Sequence, residues 1–124
     1  MLKDVALDHF HTVTTHEGSE VVVRLHGNAD SHARDAFRAL LEQVDVEATR
    51  VHASAAVVDL QDLYFMNSSC LSLLVRLVSS VAQRNPLPYK FRFLSHAGLR
   101  WQRRSLTALA ALAPGAVTVD SGTR

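Results

Sequence analysis

A single cysteine, Cys70, is all the thiol chemistry that the 124-residue chain carries. One thiol builds no internal disulfide framework and suits a reducing compartment. Long apolar runs are missing too. No stretch approaches the roughly 20 uninterrupted apolar residues that span a bilayer, so no membrane insertion is expected. Glycine (5) and proline (3) are sparse; no Pro/Gly/Ser linker divides the sequence, no repeat recurs and no segment is low in complexity. Nor does one sign of charge dominate. Thirteen basic and twelve acidic residues leave a net charge of +1 with the seven histidines neutral, too little for a sequence-independent hold on nucleic acid. Met1-Leu2-Lys3-Asp4-Val5 lacks the basic-then-apolar order of an export signal. A cytoplasmic location is therefore expected.

What is present is ordinary globular material. The chain is 48% apolar and 20% charged, which excludes the disordered and fibrous classes, and its length fits one domain with one core. Val21, Val23 and Leu25 alternate with Val22, Arg24 and His26, predicting a strand over Glu20 to His26 that the turn residues Gly27-Asn28 terminate. A less regular stretch, Val5 to Val13, reads as an edge strand. Asp30-Ser31 then offers capping side chains. Ala33, Phe37, Leu40, Leu41 and Val44 follow at helical spacing, predicting a helix over Ser31 to Val44. Ala55 to Val58 is a short continuous apolar run ending at Asp59, as in a central strand covered by helices on both faces. Tyr89, Phe91 and Phe93 alternate with Lys90 and Arg92 in a further strand. A basic helix from Gly98 to Ala113 stops at Pro114-Gly115, and Ala116 to Val119 forms a last strand. Helices alternating with strands imply crossovers, hence an α/β domain with a mixed, mostly parallel sheet of four or five strands and helices packed against it.

The segment Ser68 to Arg84 is the most informative. At ~100° per residue, Ser68, Ser72, Ser79 and Gln83 fall together, flanked by Ser69, Arg76, Ser80 and Arg84. Cys70, Leu71, Leu74, Val75, Leu77, Val78, Val81 and Ala82 take the opposite side. Leu73 sits in the polar border, where an exposed leucine suits docking. Asn67 or Ser68 is placed to cap the helix by accepting a bond from a free backbone N–H. The same orphan donors and the positive end of the helix dipole favour an anion, so a phosphate added there would change the surface without refolding the domain. On helix chemistry alone, Asn67, Ser68 and Ser69 are sufficiently explained as a cap.

Two local sequences add to this. Asp59-Leu60-Gln61-Asp62-Leu63-Tyr64-Phe65-Met66-Asn67-Ser68-Ser69-Cys70-Leu71 resembles the signature of STAS domains of the anti-sigma factor antagonist family. There a strand ending in Asp-Leu is followed by an apolar pair and then Asp-Ser-Ser/Thr-Gly-Leu opening a helix. Leu25-His26-Gly27-Asn28-Ala29-Asp30 resembles the family's Leu-x-Gly-Glu-Leu-Asp. The element order agrees from about residue 20 to 119, within one domain over 1–124. The resemblance implies a switch that binds a serine-kinase anti-sigma factor, is phosphorylated by it at Ser68, and is restored by a cognate phosphatase. Asp30, Asn67, Ser69, Ser72, Leu73 and Arg76 are the implied partner-binding residues. The chain departs from the family in Asn67 for aspartate, Cys70 for glycine and Asn28 for glutamate. Two carboxylates are thereby lost, and a phosphate at Ser68 would meet less repulsion.

Other chemistry is thinner. His9 and His11 would share a strand face, but two histidines without further ligands do not make a metal site. Cys70 falls on the buried side of its helix, as a packed thiol does. No nucleophile elbow or phosphate-binding glycine loop occurs, so neither catalysis nor a cofactor is expected. Arg100, Arg103 and Arg104 read as a solvated helix face, with Trp101 covering the sheet edge or a neighbour. The alternative function is an unmodified scaffold or accessory subunit of a signalling or transport complex.

Overall fold

Strand and helix alternate from residue 20 onward, and that order requires each new strand to be reached by a crossover. The computed structural model of the chain, which describes residues 4–121, follows the sequence β1 (Phe10–Glu17), β2 (Glu20–Ala29), α1 (Arg34–Arg50), β3 (Ala55–Met66), α2 (Ser68–Ala82), β4 (Lys90–Ser95), α3 (Arg100–Leu112) and β5 (Val117–Ser121). Residues 1–3 and 122–124, the ends of the expected 1–124 domain and part of the Met1–Val5 motif, lie outside the described residues. The strands form one sheet in the order β1-β2-β3-β4-β5. β1 runs antiparallel to β2, and every later neighbour is parallel. This is the expected mixed, mostly parallel α/β sheet.

Three crossovers that step in one direction with one hand put all their helices on one face. Accordingly, Phe37, Leu40 and Val44 of α1, Leu74 and Val78 of α2, and Leu106 and Leu109 of α3 share a single core with Val21, Val23, Leu25, Ala56, Val58, Phe91 and Phe93. Phe10 joins it edge-on to Phe37, with ring centroids 6.1 Å apart. The expectation that β3 is covered by helices on both faces is thus corrected. Val57 is buried, but on the opposite face, between its register partners Val22 and Arg92. That face is open and ionic. Arg24 pairs with Glu17 at 3.0 Å and Asp59 at 3.8 Å, and Arg92 pairs with Glu20 at 3.2 Å and Asp120 at 3.8 Å.

Several boundaries differ from the sequence reading. β2 does not stop at Gly27-Asn28 but runs to Ala29 through two register shifts against β3. Gly27 adopts φ +94°, and a Cβ there would stand 2.1 Å from the His9 carbonyl oxygen; the glycine permits a close backbone crossing inside the strand. β1 begins at Phe10 rather than Val5, because residues around Ala6 fold back to bridge His11. α1 starts three residues late, since the Asp30 carboxylate accepts from the N–H groups of His32 (3.0 Å) and Ala33 (3.2 Å) and holds a turn there. It also continues six residues past Val44, because the small, fully buried Ala48 prolongs the apolar stripe. β3 continues past Asp59 to Met66, with Leu60 and Leu63 still in the core. The other ends move by one to two residues: α2 closes at Ala82, β4 covers Lys90–Ser95, α3 begins at Arg100 and β5 reaches Ser121.

Candidate functional site

β3 ends at Met66, and α2 begins two residues later. Asn67 is the residue between, extended at φ −77° and ψ 167°. Its Oδ1 accepts from the Cys70 N–H at 2.8 Å, so of the two capping candidates Asn67 performs the role. Its own N–H donates to the Ala29 carbonyl at 2.9 Å. Ser68 and Ser69 are then the first two helical residues. No acidic residue lies in the first turn of α2, which leaves the positive helix end uncompensated.

Two contacts join this turn to the start of α1. The Arg34 Nε donates to Ser69 Oγ at 2.5 Å, and Cys70 Sγ lies 3.7 Å from the Asp30 carbonyl oxygen. Burial pushes the Cys70 thiol above its ordinary value, as expected of a packed thiol rather than a nucleophile. The two serines differ. Ser69 is half-buried and held by Arg34, whereas Ser68 is exposed and its hydroxyl has no partner among the described residues.

α3 supports the site from the other side. The carboxamide of the fully buried Gln102 donates from Nε2 to the carbonyls of Leu60 and Leu63, and its Oε1 accepts from the His96 N–H. Trp101 Nε1 donates to the Tyr64 carbonyl at 2.9 Å. Held in this way, Tyr64 and Phe65 project as exposed aromatics (62% and 48%) immediately before Asn67.

Asp30, Asn67, Ser68 and Ser69 are therefore brought together at one end of the sheet. Ser72 lies one turn further along α2, exposed. Arg76 lies two turns along, also exposed, beside the groove between α1 and α2. Leu73 requires correction: it is 8% exposed and part of the core. The helical wheel allowed for burial against the sheet alone, but α1 packs beside α2 and widens the buried arc. Arg84 is likewise not free on the serine face, because its two terminal nitrogens each donate at 2.8 Å to the Asp45 carboxylate. His9 and His11 do not share a strand face. His9 precedes β1, and His11 instead stacks on His26 across the strand pair, ring centroids 4.7 Å apart. Among the described residues no group of three His, Cys, Asp or Glu is placed to hold a metal ion. Arg100, Arg103 and Arg104 are exposed. The residue that sequence reading missed is Arg34. No local pattern marks it, because its contact spans 35 positions.

With this geometry the chain was compared with known proteins. No family model matches the sequence, and no curated protein does. Among solved structures it is similar to an anti-sigma factor antagonist from Mycobacterium paratuberculosis, at 20% identity and a TM-score of 0.67, over 88% of this chain and 86% of that one. It is also similar to the Bacillus cell fate determinant SpoIIAA in its phosphorylated form, at 23% identity and a TM-score of 0.54, over 91% and 92% of the two chains. Unphosphorylated SpoIIAA gives 20% identity and a TM-score of 0.53, over 90% and 89%. At these identities the likeness is one of fold, and it is the fold that the STAS resemblance implied.

Proposed function

We propose that this chain, built on the fold of the anti-sigma factor antagonists, is a protein switch of that kind, acting as one domain over residues 1–124. It binds a serine-kinase anti-sigma factor while unmodified and is released when that kinase phosphorylates Ser68; a cognate phosphatase resets it. The partner surface comprises Asp30, Asn67, Ser69, Ser72 and Arg76 around the acceptor, and Leu73, being buried, is left out of it. The chain itself performs no catalytic step in this reading.

The observation that carries the proposal is the contrast between the adjacent serines. Ser68 is the exposed hydroxyl without a partner among the described residues, on the first turn of a helix that holds no acid there. An added phosphate there meets the positive end of the helix, an electrostatic gain of about 0.3–1 kcal/mol. One of the similar structures is itself a phosphorylated form, which supports a reading in which this fold carries a phosphate.

Incubation with ATP and each serine-kinase anti-sigma factor of the host, followed by peptide mass spectrometry, tests the reading. A single phosphate on Ser68, absent in Ser68→Ala and removed by a phosphatase, is expected, with the kinase binding the unmodified chain more tightly. Binding without phosphate transfer would replace the switch with an unmodified scaffold. No binding to any candidate kinase would point to an accessory subunit of another signalling or transport complex.

A further inference from the structure

Arg34 is an arginine in an unfavourable place. It opens α1, where the partial positive charge of the helix end disfavours a cation. The carboxylate it meets among the described residues is exposed and shared: Asp35 Oδ1 stands 3.9 Å from Arg34 and 3.7 Å from Arg38, on a side chain that is 93% exposed. Its Nε crosses instead to Ser69 Oγ on α2. A guanidinium has five N–H donors in a planar fork, and among the described residues only this one is committed to a hydrogen bond. The Ser69 that this nitrogen holds adjoins the exposed Ser68 in the first turn of α2.

We infer that Arg34 is the residue that receives a phosphate carried by Ser68. The inference rests on the reading of Ser68 as the modified residue and names what would register the modification. A dianionic phosphate is a far stronger acceptor than the neutral Ser69 hydroxyl, and the guanidinium fork matches its oxygens two at a time. Phosphorylation then draws Arg34 from Ser69 onto the phosphate, neutralising the cation and changing the tie between the starts of α1 and α2. The other arginines nearby are placed differently. Arg84 is held by Asp45, and Arg38 lies one turn further along α1 with no hydrogen bond to the first turn of α2 among the described residues. Arg76 lies eight residues beyond Ser68, roughly 12 Å along the helix. The opposing charges are few. The Asp30 carboxylate, held by the N–H groups of His32 and Ala33, keeps its charge near this turn, and a neutral Asn67 stands beside Ser68.

The test installs phosphoserine at position 68 during synthesis, so it requires no kinase. The second ionisation of phosphoserine, ordinarily near pH 6, is followed by phosphorus NMR. The other ionisable groups around Arg34 among the described residues are Asp30 and His32 of the preceding turn, Asp35 and Arg38 of α1, the buried Cys70 thiol of α2, and Glu42, Asp45 and Arg76 further along the shared α1–α2 groove. The phosphate of the wild-type chain is expected to ionise roughly half to one unit lower than in Arg34→Gln, with Arg34→Lys retaining part of the shift. Phosphoserine placed at position 72, where Arg76 stands one turn on, is expected to titrate alike in wild type and Arg34→Gln. In the otherwise unaltered chain the Arg34 Nε–H resonance is expected to move on phosphorylation of residue 68, a readout that needs no substitution at Arg34. Identical titrations in wild type and Arg34→Gln, or an unmoved Arg34 resonance, would overturn the assignment. Those outcomes leave the switch reading standing, whereas kinase assays that leave Ser68 unmodified sink that reading whatever Arg34 does.

Discussion

Asn67 does two things: its backbone N–H ties the end of β3 to Ala29, and its Oδ1 satisfies the third backbone donor of α2. Neither role needs a negative charge, which is why the amide can stand where the resembling family carries aspartate. Asn67→Ala is expected to cost about 1 kcal/mol in urea unfolding through loss of the cap. Asn67→Asp keeps the acceptor and is expected to match or slightly exceed wild type, since a carboxylate suits the positive helix end. A larger loss in Asn67→Asp than in Asn67→Ala would refute that assignment. The charge bears on the proposed switch as well, because a carboxylate adjoining Ser68 would repel an added phosphate.

Between elements, buried polar contacts decide how the site is aimed. Gln102 is the only route by which α3 grips the end of β3 through a side-chain amide among the described residues, and Gln102→Leu would strand the Leu60 and Leu63 carbonyls and the His96 N–H. A loss of roughly 3 kcal/mol is expected, with faster amide exchange from Leu60 to Phe65. A second junction ties α1 to the end of α2 and the start of β4: Asp45 accepts from Arg84 and from the Tyr89 hydroxyl at 2.8 Å. The Arg84 hydrogen bonds hold the Asp45 carboxyl below its ordinary range, while burial and then the Asp45 contact push the Tyr89 phenol well above its own. The depressed Asp45 value adds stability above its unfolded pKa near 4, lost as pH falls through the folded value. The raised Tyr89 value adds stability that is complete below about pH 10 and lost as pH rises through the folded value. Asp45→Asn should therefore flatten part of the acid limb of a stability profile and Tyr89→Phe the alkaline limb. Glu17, held low by Thr15 and Arg24, and Glu47, held low by Arg50, keep some acid slope in the first variant.

For the molecule as a whole, the one-sided placement of helices divides the sheet into a packed face and an ionic one. The open face is cross-linked by Arg24, Arg92 and their carboxylates, with His26 3.5 Å from Asp62. The two arginine side chains are 34% and 39% exposed, so water and salt screen these pairs. Raising sodium chloride from 50 mM to 1 M is expected to lower unfolding stability by less than about 1 kcal/mol. A much larger drop would mean that the ionic face, and not the helix-side core, carries the fold.

The sequence by itself determined the order of elements, the α/β class and the inward residues of β2 and β4, because a period of two or 3.6 is a local property. It also marked the Asn67-Ser68-Ser69 turn, since capping chemistry is written in adjacent residues. Tertiary structure decided what depends on neighbours distant in the chain. Leu73 is buried only because α1 lies beside α2, and β2 passes Gly27 only because the backbone at His9 needs the room. β3 outlasts its apolar run by pairing with β2. Arg34 reaches Ser69 over a separation that no periodicity encodes. Local pattern sets where elements lie; packing selects which of their side chains meet, and the difference between Ser68 and Ser69 belongs to packing.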